Sequence, residues 1–429
     1  MKNGSRVQLR YLNMKNNNTP DIRFPGFTDG WEQRKLSSIC SMHARIGWQN
    51  LRTSEFLDTG KYYLVTGTDF DDGKVNLSTC HYVEKERYDQ DKKIQIKNGS
   101  ILITKDGTLG KVALVEGLDK PATLNAGVFN VEIVAENIDN KYLFQYLKAP
   151  FLMDYVDRKA TGGTIKHLNQ NILVDFPVWL SDYEEQKRVG LFFQQLDRLI
   201  TFHQNGLDIL KKTKKGFLQK MFPKEGESVP EIRFPGFTHD WEQRELSELS
   251  NKTFGGGTPS TKIKEYWNGD IPWIQSSDLQ TDSLSNVFPT KQITAEAVSK
   301  SATKLIPKNS IAIVTRVGVG KLALMPYSYT TSQDFLSLSD LNVSLWFGTY
   351  CIYNLMKREI NNIQGTSIKG ITKDALLSKR IKVPYDKDEQ ERIGALFKQL
   401  DDTIALHQRE LESLKETKKA FLQKMFINT

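Results

Sequence analysis

Lys105, Asp106 and Lys111 share one glycine-punctuated stretch, ILITKDGTLGKVAL at residues 101–114, and Arg316 and Lys321 hold matching places in IAIVTRVGVGKLAL at 311–324. Both stretches read as strand, turn, strand, which puts these side chains on or beside the turn. Asp accepts a hydrogen bond from cytosine N4, and Arg pairs bidentately with O6 and N7 of guanine, so this is chemistry suited to base edges in a major groove. Thr258, Ser260 and Lys262, in GGGTPSTK at 255–262, supply hydroxyls, backbone N–H groups and an ammonium of the kind that contacts phosphate. The GGTIK stretch at 162–166 offers the same set. Ser276, Ser277 and Asp278, with Gln333 and Asp334, add polar groups near expected strand ends. Any one of these residues also suits an ordinary surface turn.

Recognisable catalytic motifs are missing from the sequence, although a triad assembled in space would leave no such motif. TRVGVGKL at 315–322 resembles a nucleotide loop only superficially, because the first glycine of a Walker A is absent and Leu322 replaces the hydroxyl that would hold magnesium. The six histidines are scattered and none makes HExxH. Cys40, Cys80 and Cys351 form no CxxC pair and read as free thiols in a reducing compartment. These observations assign no catalytic residue, no metal ligand and no cofactor to the chain.

Charge permits a polyanion partner without requiring one: 59 Lys and Arg against 51 Asp and Glu give +8. Residues 1–19 are polar and basic with no apolar run behind them, and read as a disordered leader. No stretch of 18 apolar residues would span a bilayer. A soluble, cytoplasmic protein is expected.

The elements that must position the polar turns occur twice. PDIRFPGFTDGWEQRKLS at 20–37 returns at 230–247 with 14 of 18 residues identical. The segment 185–222 returns at 389–426, an offset of 204, with 23 of 38 identical. Between these matched segments the halves diverge, apart from the paired turns and an echo of 163–166 in 366–369. Two like frames carrying different surfaces suit a protein that reads two different things in one way. Duplication for stability alone would leave the divergence unexplained.

Both repeated C-terminal segments carry apolar residues three or four apart, the spacing of an amphipathic helix. Ser181, with Glu184 three positions on, predicts the first helix start, and a break near Gly206 is considered. A stripe of such length would be exposed on a lone helix, so the two helices are expected to pair as an antiparallel coiled coil. His203 and His407 hold equivalent stripe positions and read as interior polar residues. The lysines closing each helix favour the helix dipole and are weak evidence for phosphate contact. FLQKMF ends both copies, and Phe217, Leu218, Met221 and Phe222, with Phe421, Leu422, Met425 and Phe426, form apolar clusters suited to a partner protein or a neighbouring domain.

The fold class is α+β. Strands are expected at 61–66, 93–96, 101–104, 128–134, 311–315 and 321–325, with helices at 141–156 and 343–361. The domain boundaries that follow are a leader at 1–19, globular domains at 20–180 and 224–384, and helical spacers at 181–223 and 385–429.

The FPGF and WEQR segments, the KKTKKGFLQKMF and KETKKAFLQKMF tails, and GGTPSTKIKEYWNGDIPWIQSSDL at 256–279 together resemble the specificity subunit of type I restriction-modification systems. The resemblance covers about residues 20–426. It implies two target-recognition domains, each binding half of a bipartite, asymmetric site in double-stranded DNA, with the paired helices fixing the spacer between the halves. Two methyltransferase subunits that use S-adenosylmethionine would dock on this frame. Motor-nuclease subunits would join them, consuming ATP and requiring Mg on their own chains. It supplies no catalytic set, so the site residues rest on loop position and side-chain chemistry alone. The first domain lacks the GGTPS opening and has ARIGWQNLRTSEF at 44–56 in its place, which implies a different half-site. A stand-alone DNA-binding protein, which would bind tightly without partners, and a coiled-coil adaptor without sequence-selective binding are the competing readings.

Overall fold

Continuous apolar runs form the central strands of both halves, because each such strand is covered on two faces. A computed structural model describes residues 10–11, 18–47, 50–159, 168–362 and 370–427. The chain divides into a first unit, 1–202 with 411–429, and a second unit, 203–410. Most of the expected leader, and the stretches 162–166 and 366–369, lie outside the described residues; Arg10–Tyr11 pairs with Ile22–Arg23 as a two-residue strand.

The first unit contains β1 (Cys40–His43), β2 (Tyr62–Val65), β3 (Ile101–Thr104), β4 (Val112–Leu114), β5 (Ala122–Leu124) and β6 (Val128–Ile133). β6 runs antiparallel to both β1 and β3, and β3 to β4. β5 lies parallel to β2 in another sheet. Alternation along β3 sends Ile101 and Ile103 to the helical core and Leu102 to the core shared with β2 and β5. The expected helix at 141–156 is two, Asn140–Lys148 and Phe151–Lys159. Pro150 separates them, since proline holds the residue before it out of helical geometry.

The second unit repeats this plan with β7 (Ser250–Gly255), β8 (Ile271–Ile274), β9 (Ser310–Val314), β10 (Leu322–Met325), β11 (Thr330–Thr331) and β12 (Phe335–Leu341). β12 runs antiparallel to β7 and β9, β9 to β10, and β11 lies parallel to β8. Ile311 and Ile313 face one core, Ala312 and Val314 the other. The duplication therefore extends through the middles, where the sequences have drifted apart.

Two long helices, Tyr183–Lys220 and Lys387–Met425, follow the globular parts. The first runs unbroken through Gly206. Its first turn is capped by Asp182, whose Oδ1 accepts from Glu184 N at 2.8 Å, so Ser181 is not the cap that its sequence position suggests. The helices pack together. In the first unit Phe192 meets Phe421 edge-on at 5.1 Å, and Lys418 pairs with Asp197 at 2.6 Å. In the second unit the repeat-related pair, Lys214 with Asp401, stands at 2.5 Å. These two lysines are nearly buried and spoken for inside the chain, which takes them off any phosphate-contact surface.

The FLQKMF clusters require a correction. Met425 and Phe426 are buried in the first unit's core, with Phe426 against Tyr142, Tyr146, Phe151 and Phe193. Met221 and Phe222 are buried in the second unit's core, with Phe222 against Trp241, Phe347 and Phe397. Phe217, Leu218, Phe421 and Leu422 are partly buried on the same cores. Of a partner protein and a neighbouring domain, the four inner side chains have taken the domain, and apolar burial of this extent leaves them nothing to offer a partner.

The repeated opening segments have a structural office too. Arg23 Nε and Nη2 donate to the two oxygens of Glu185 at 2.7 and 2.8 Å, and Trp31 Nε1 adds a bond of 3.1 Å. Arg233 grips Glu389 identically at 2.7 and 2.8 Å in the second unit. The next residue closes the same joint: Gln186 accepts from Asp139 N, and Gln390 from Ser344 N. Each opening segment thus fastens its domain to the first turn of its own long helix.

Candidate nucleic-acid interface

The turns singled out for base reading are built alike in both units. In the first, Thr104 N donates to Lys111 O and Gly110 N to Thr104 O, both at 2.9 Å, while the Thr104 hydroxyl donates to Thr108 O and closes the loop. Gly107 and Gly110 take φ of +73° and +71°, a region that favours glycine. A Cβ on Gly110 would also collide with Met153 Sδ at 2.0 Å. The turn is anchored at its base, where Lys105 N donates to Gly127 O at 2.9 Å and Leu168 N to Lys105 O at 2.8 Å.

Thr315 holds the position of Lys105 in the second unit. Its N–H donates to Asp334 O at 2.7 Å and its carbonyl accepts from Ile371 N at 2.7 Å. Gly318 and Gly320 take φ of +89° and +97°. One backbone frame therefore presents Lys105-Asp106-Gly107-Thr108 in one unit and Thr315-Arg316-Val317-Gly318 in the other.

The proposed contact residues fare unequally. Arg316, Ser277, Thr258, Ser260, Lys262 and Lys111 are exposed. Lys105 is half-buried, with its ammonium 5.6 Å from the centre of the Phe129 ring, and Asp106 is half-buried beside Gly127. Lys321 Nζ donates to Ser276 O at 3.1 Å, which spends its charge on tying the turn to the short helix Ser276–Asp278. The Thr258 hydroxyl donates to Gln333 Oε1, and Thr315 N bonds the carbonyl of the adjacent Asp334. Thr258, Ser277, Arg316, Lys321 and Gln333 are thereby drawn into neighbouring loops on one polar edge. Ser260 and Lys262 flank Thr261 on an open groove of about 730 Å³, lined also by Lys264, Trp267, Thr290 and Lys291. Trp267 packs edge-on against Trp273 at 4.9 Å, a structural contact.

Two features escape a reading of the sequence alone. Val317 is 73% exposed beside Arg316, an apolar side chain left open at the tip of the turn. The other is a matched pair of capping turns. Asp69 accepts from Thr66 N and the Thr79 hydroxyl, each at 2.8 Å, and Asp278 accepts from Gln275 N at 2.9 Å and the Thr290 hydroxyl at 2.8 Å. The capping-box spacing Thr66-x-x-Asp69 was the available signal. Asp278 is consequently a scaffold residue, and its neighbour Ser277 carries the exposed hydroxyl.

Reactive groups are held inert. The three thiols are buried, and burial pushes the pKa of each up to about 12, assisted at Cys80 by the nearby Asp69 carboxylate. Among the described residues no helix is long and apolar enough to cross a membrane.

Comparison with known proteins gives a consistent result. A family model described as "Type I restriction modification DNA specificity domain" matches residues 28–212 and again 238–416. A putative type I restriction enzyme specificity subunit, MjaX of Methanocaldococcus jannaschii, is 26% identical over 415 residues, spanning 92% of each chain. The EcoR124I/EcoR124II specificity subunit of Escherichia coli is 35% identical over 172 residues, 37% of this chain and 41% of that one. The crystal structure of an S subunit from M. genitalium superposes with a TM-score of 0.63 at 15% identity, covering 95% of this chain and 99% of that one, which is a likeness of fold.

Proposed function

This chain belongs to the type I restriction-modification DNA specificity family, and we propose that each of its globular units reads one half of a bipartite, asymmetric target in double-stranded DNA. It is a non-catalytic specificity subunit, which works with methyltransferase and restriction subunits to recognise target DNA. The observation that carries the half-site reading is the shared turn frame: identical backbone anchoring at Lys105 and Thr315, with different side chains displayed beyond it. A common frame sets the docking geometry, and the displayed residues set the sequence. Arg316, Val317, Ser277 and Thr258 are the proposed readers of one half-site, and Asp106 and Lys111, with Lys105 behind them, of the other.

In this reading the target-recognition domains are 20–180 and 224–384, and the helical spacers are 181–223 and 385–429. The spacers form an antiparallel coiled coil that acts as a ruler for the unspecified bases. In support, contact partners rise along one helix as they fall along the other: Phe192 with Phe421 and Asp197 with Lys418 in one unit, His203 with His407 and Lys214 with Asp401 in the other. Two methyltransferase subunits dock on the helices and bring S-adenosylmethionine. Motor-nuclease subunits bring the ATP and Mg requirement. Large apolar side chains left exposed on the helices, Leu199 and Phe202 in the first unit and Ile209 and Leu406 in the second, suit such docking better than the buried ends of FLQKMF. The setting is the cytoplasm, where the unpaired thiols stay reduced.

The deciding experiment maps N6-methyladenine in DNA from cells making this chain, a candidate methyltransferase subunit, or both. A bipartite motif methylated only when both are present is the expected result and yields both half-sites. An active methyltransferase with no chain-dependent motif would overturn the reading.

A further inference from the structure

Away from the recognition turns, the second unit brings His203 together with His407 and Glu410, which lie some two hundred residues further along the chain, as three potential ligands. His203 Nδ1 lies 3.3 Å from His407 Nδ1 and 3.2 Å from Glu410 Oε2. The sequence marks the histidines as repeat-related, 203 and 407 at the offset of 204, and reads them as interior polar residues. We propose that they form, with Glu410, a binding site for a transition-metal dication of the zinc class.

Geometry and chemistry both favour this. An ion with Zn–N bonds of about 2.05 Å in a tetrahedral shell holds neighbouring ligand atoms about 3.3 Å apart, which is the spacing of His203 Nδ1 from each of the other two, and all three ligand atoms lie within 4.8 Å of one another. Two imidazoles and one carboxylate suit zinc, cobalt or nickel, whereas calcium and magnesium prefer an all-oxygen shell. His407 and Glu410 stand three apart on one helix and so share a face. The Glu410 side chain is 44% exposed against 17% for His203, so the fourth position opens to water on the Glu410 side.

The repeat is broken at the residue that makes room. Gly206 is the counterpart of Glu410, since 206 plus 204 is 410. A Cβ there would stand 3.3 Å from His407 Cε1 and 3.5 Å from its Nδ1. Glycine is unfavourable inside a helix, yet here it lets the imidazole lie against the opposite backbone. One carboxylate and one glycine at equivalent places yield a single three-ligand site in place of a crowded four-ligand one.

The position gives the site a role beyond target reading. The chain passes from the first unit to the second between residues 202 and 203 and returns between 410 and 411. Ligands stand at both crossings, so a bound ion would tie the two helices together where the chain changes unit.

The test uses the full-length chain without a histidine tag, stripped with EDTA and titrated with Co(II), then with Zn(II) in competition. One equivalent of Co(II), with the intense visible absorption of a four-coordinate ion, should bind and be displaced by zinc. His407→Ala and Glu410→Gln should each weaken binding about tenfold or more. Glu410 is partly exposed, so its amide variant decides the matter even if the histidine variant misfolds. Absence of binding at submillimolar Co(II), or equal binding by wild type and Glu410→Gln, would show the three groups to be a hydrogen-bonded cluster only.

Discussion

Glu185 is the residue whose loss should be felt most sharply, and Glu185→Gln is the perturbation that isolates its charge. The side chain is 1% exposed and Arg23 opposite it 3% exposed, with bonds of 2.7 and 2.8 Å between them. Attraction within such a pair roughly offsets the cost of taking both ions out of water, so the intact pair is worth little in net stability. Removing one partner is different. Arg23 then stays buried without a counter-charge, which costs about 3–5 kcal/mol. The amide keeps the volume and an acceptor for Trp31 Nε1, so little of that loss comes from a cavity or from an orphaned indole. Urea unfolding followed by native-state hydrogen exchange over the first unit should register the change there and leave the second unit's protection unaltered. The double variant Arg23→Met with Glu185→Leu should recover at least half of the loss, because neither charge remains to be solvated. A single variant costing less than about 1 kcal/mol, or a double variant as unstable as the sum of the singles, would refute the account. Glu389→Gln should cost less, since Arg233 is 13% exposed and also donates to His239 O at 2.7 Å.

Arg316→Ala should weaken binding to one half-site by about 1–3 kcal/mol and relax its base preference while assembly with the methyltransferase stays intact; binding assays on substituted duplexes would contradict this if both half-sites lost affinity equally. Leu406→Asp, at a side chain 53% exposed, should block association with the methyltransferase without altering the unfolding midpoint. A complex of unchanged mass by light scattering would remove the docking assignment. Phe426→Ala is its counterpart in the core: it should cost about 3–5 kcal/mol of first-unit stability, and a loss below 1 kcal/mol in the same urea titration would mean that the helix end is not packed as described.

Local chemistry made much of this protein legible from its sequence. The apolar run ahead of the glycine-punctuated stretch located β3 and its turn, and Gly107 does take positive φ. The three-and-four spacing located both long helices, and the near-identity of two segment pairs established that one plan is used twice. Base-reading chemistry is assigned to these turns because a turn between two buried strands must come to the surface.

What the sequence could not settle was which side chain meets which across the fold. A helical period fixes the face on which Phe426 lies but not that the face enters the core of the first unit, next to Tyr142. Lys321 reads as a free cation until Ser276, 45 residues earlier, takes its ammonium. The identity of IRFPGF and EQ between the copies suggested a shared function, and the structure turns part of it into a shared joint between Arg23 or Arg233 and a glutamate more than 150 residues on. His203 and His407 were recognisably equivalent, yet their approach to Glu410 depends on two helices running past each other and on a glycine at 206. Propensity and periodicity act over a few residues, whereas the partners of buried charges and of potential ligands are chosen only when distant segments close on one another.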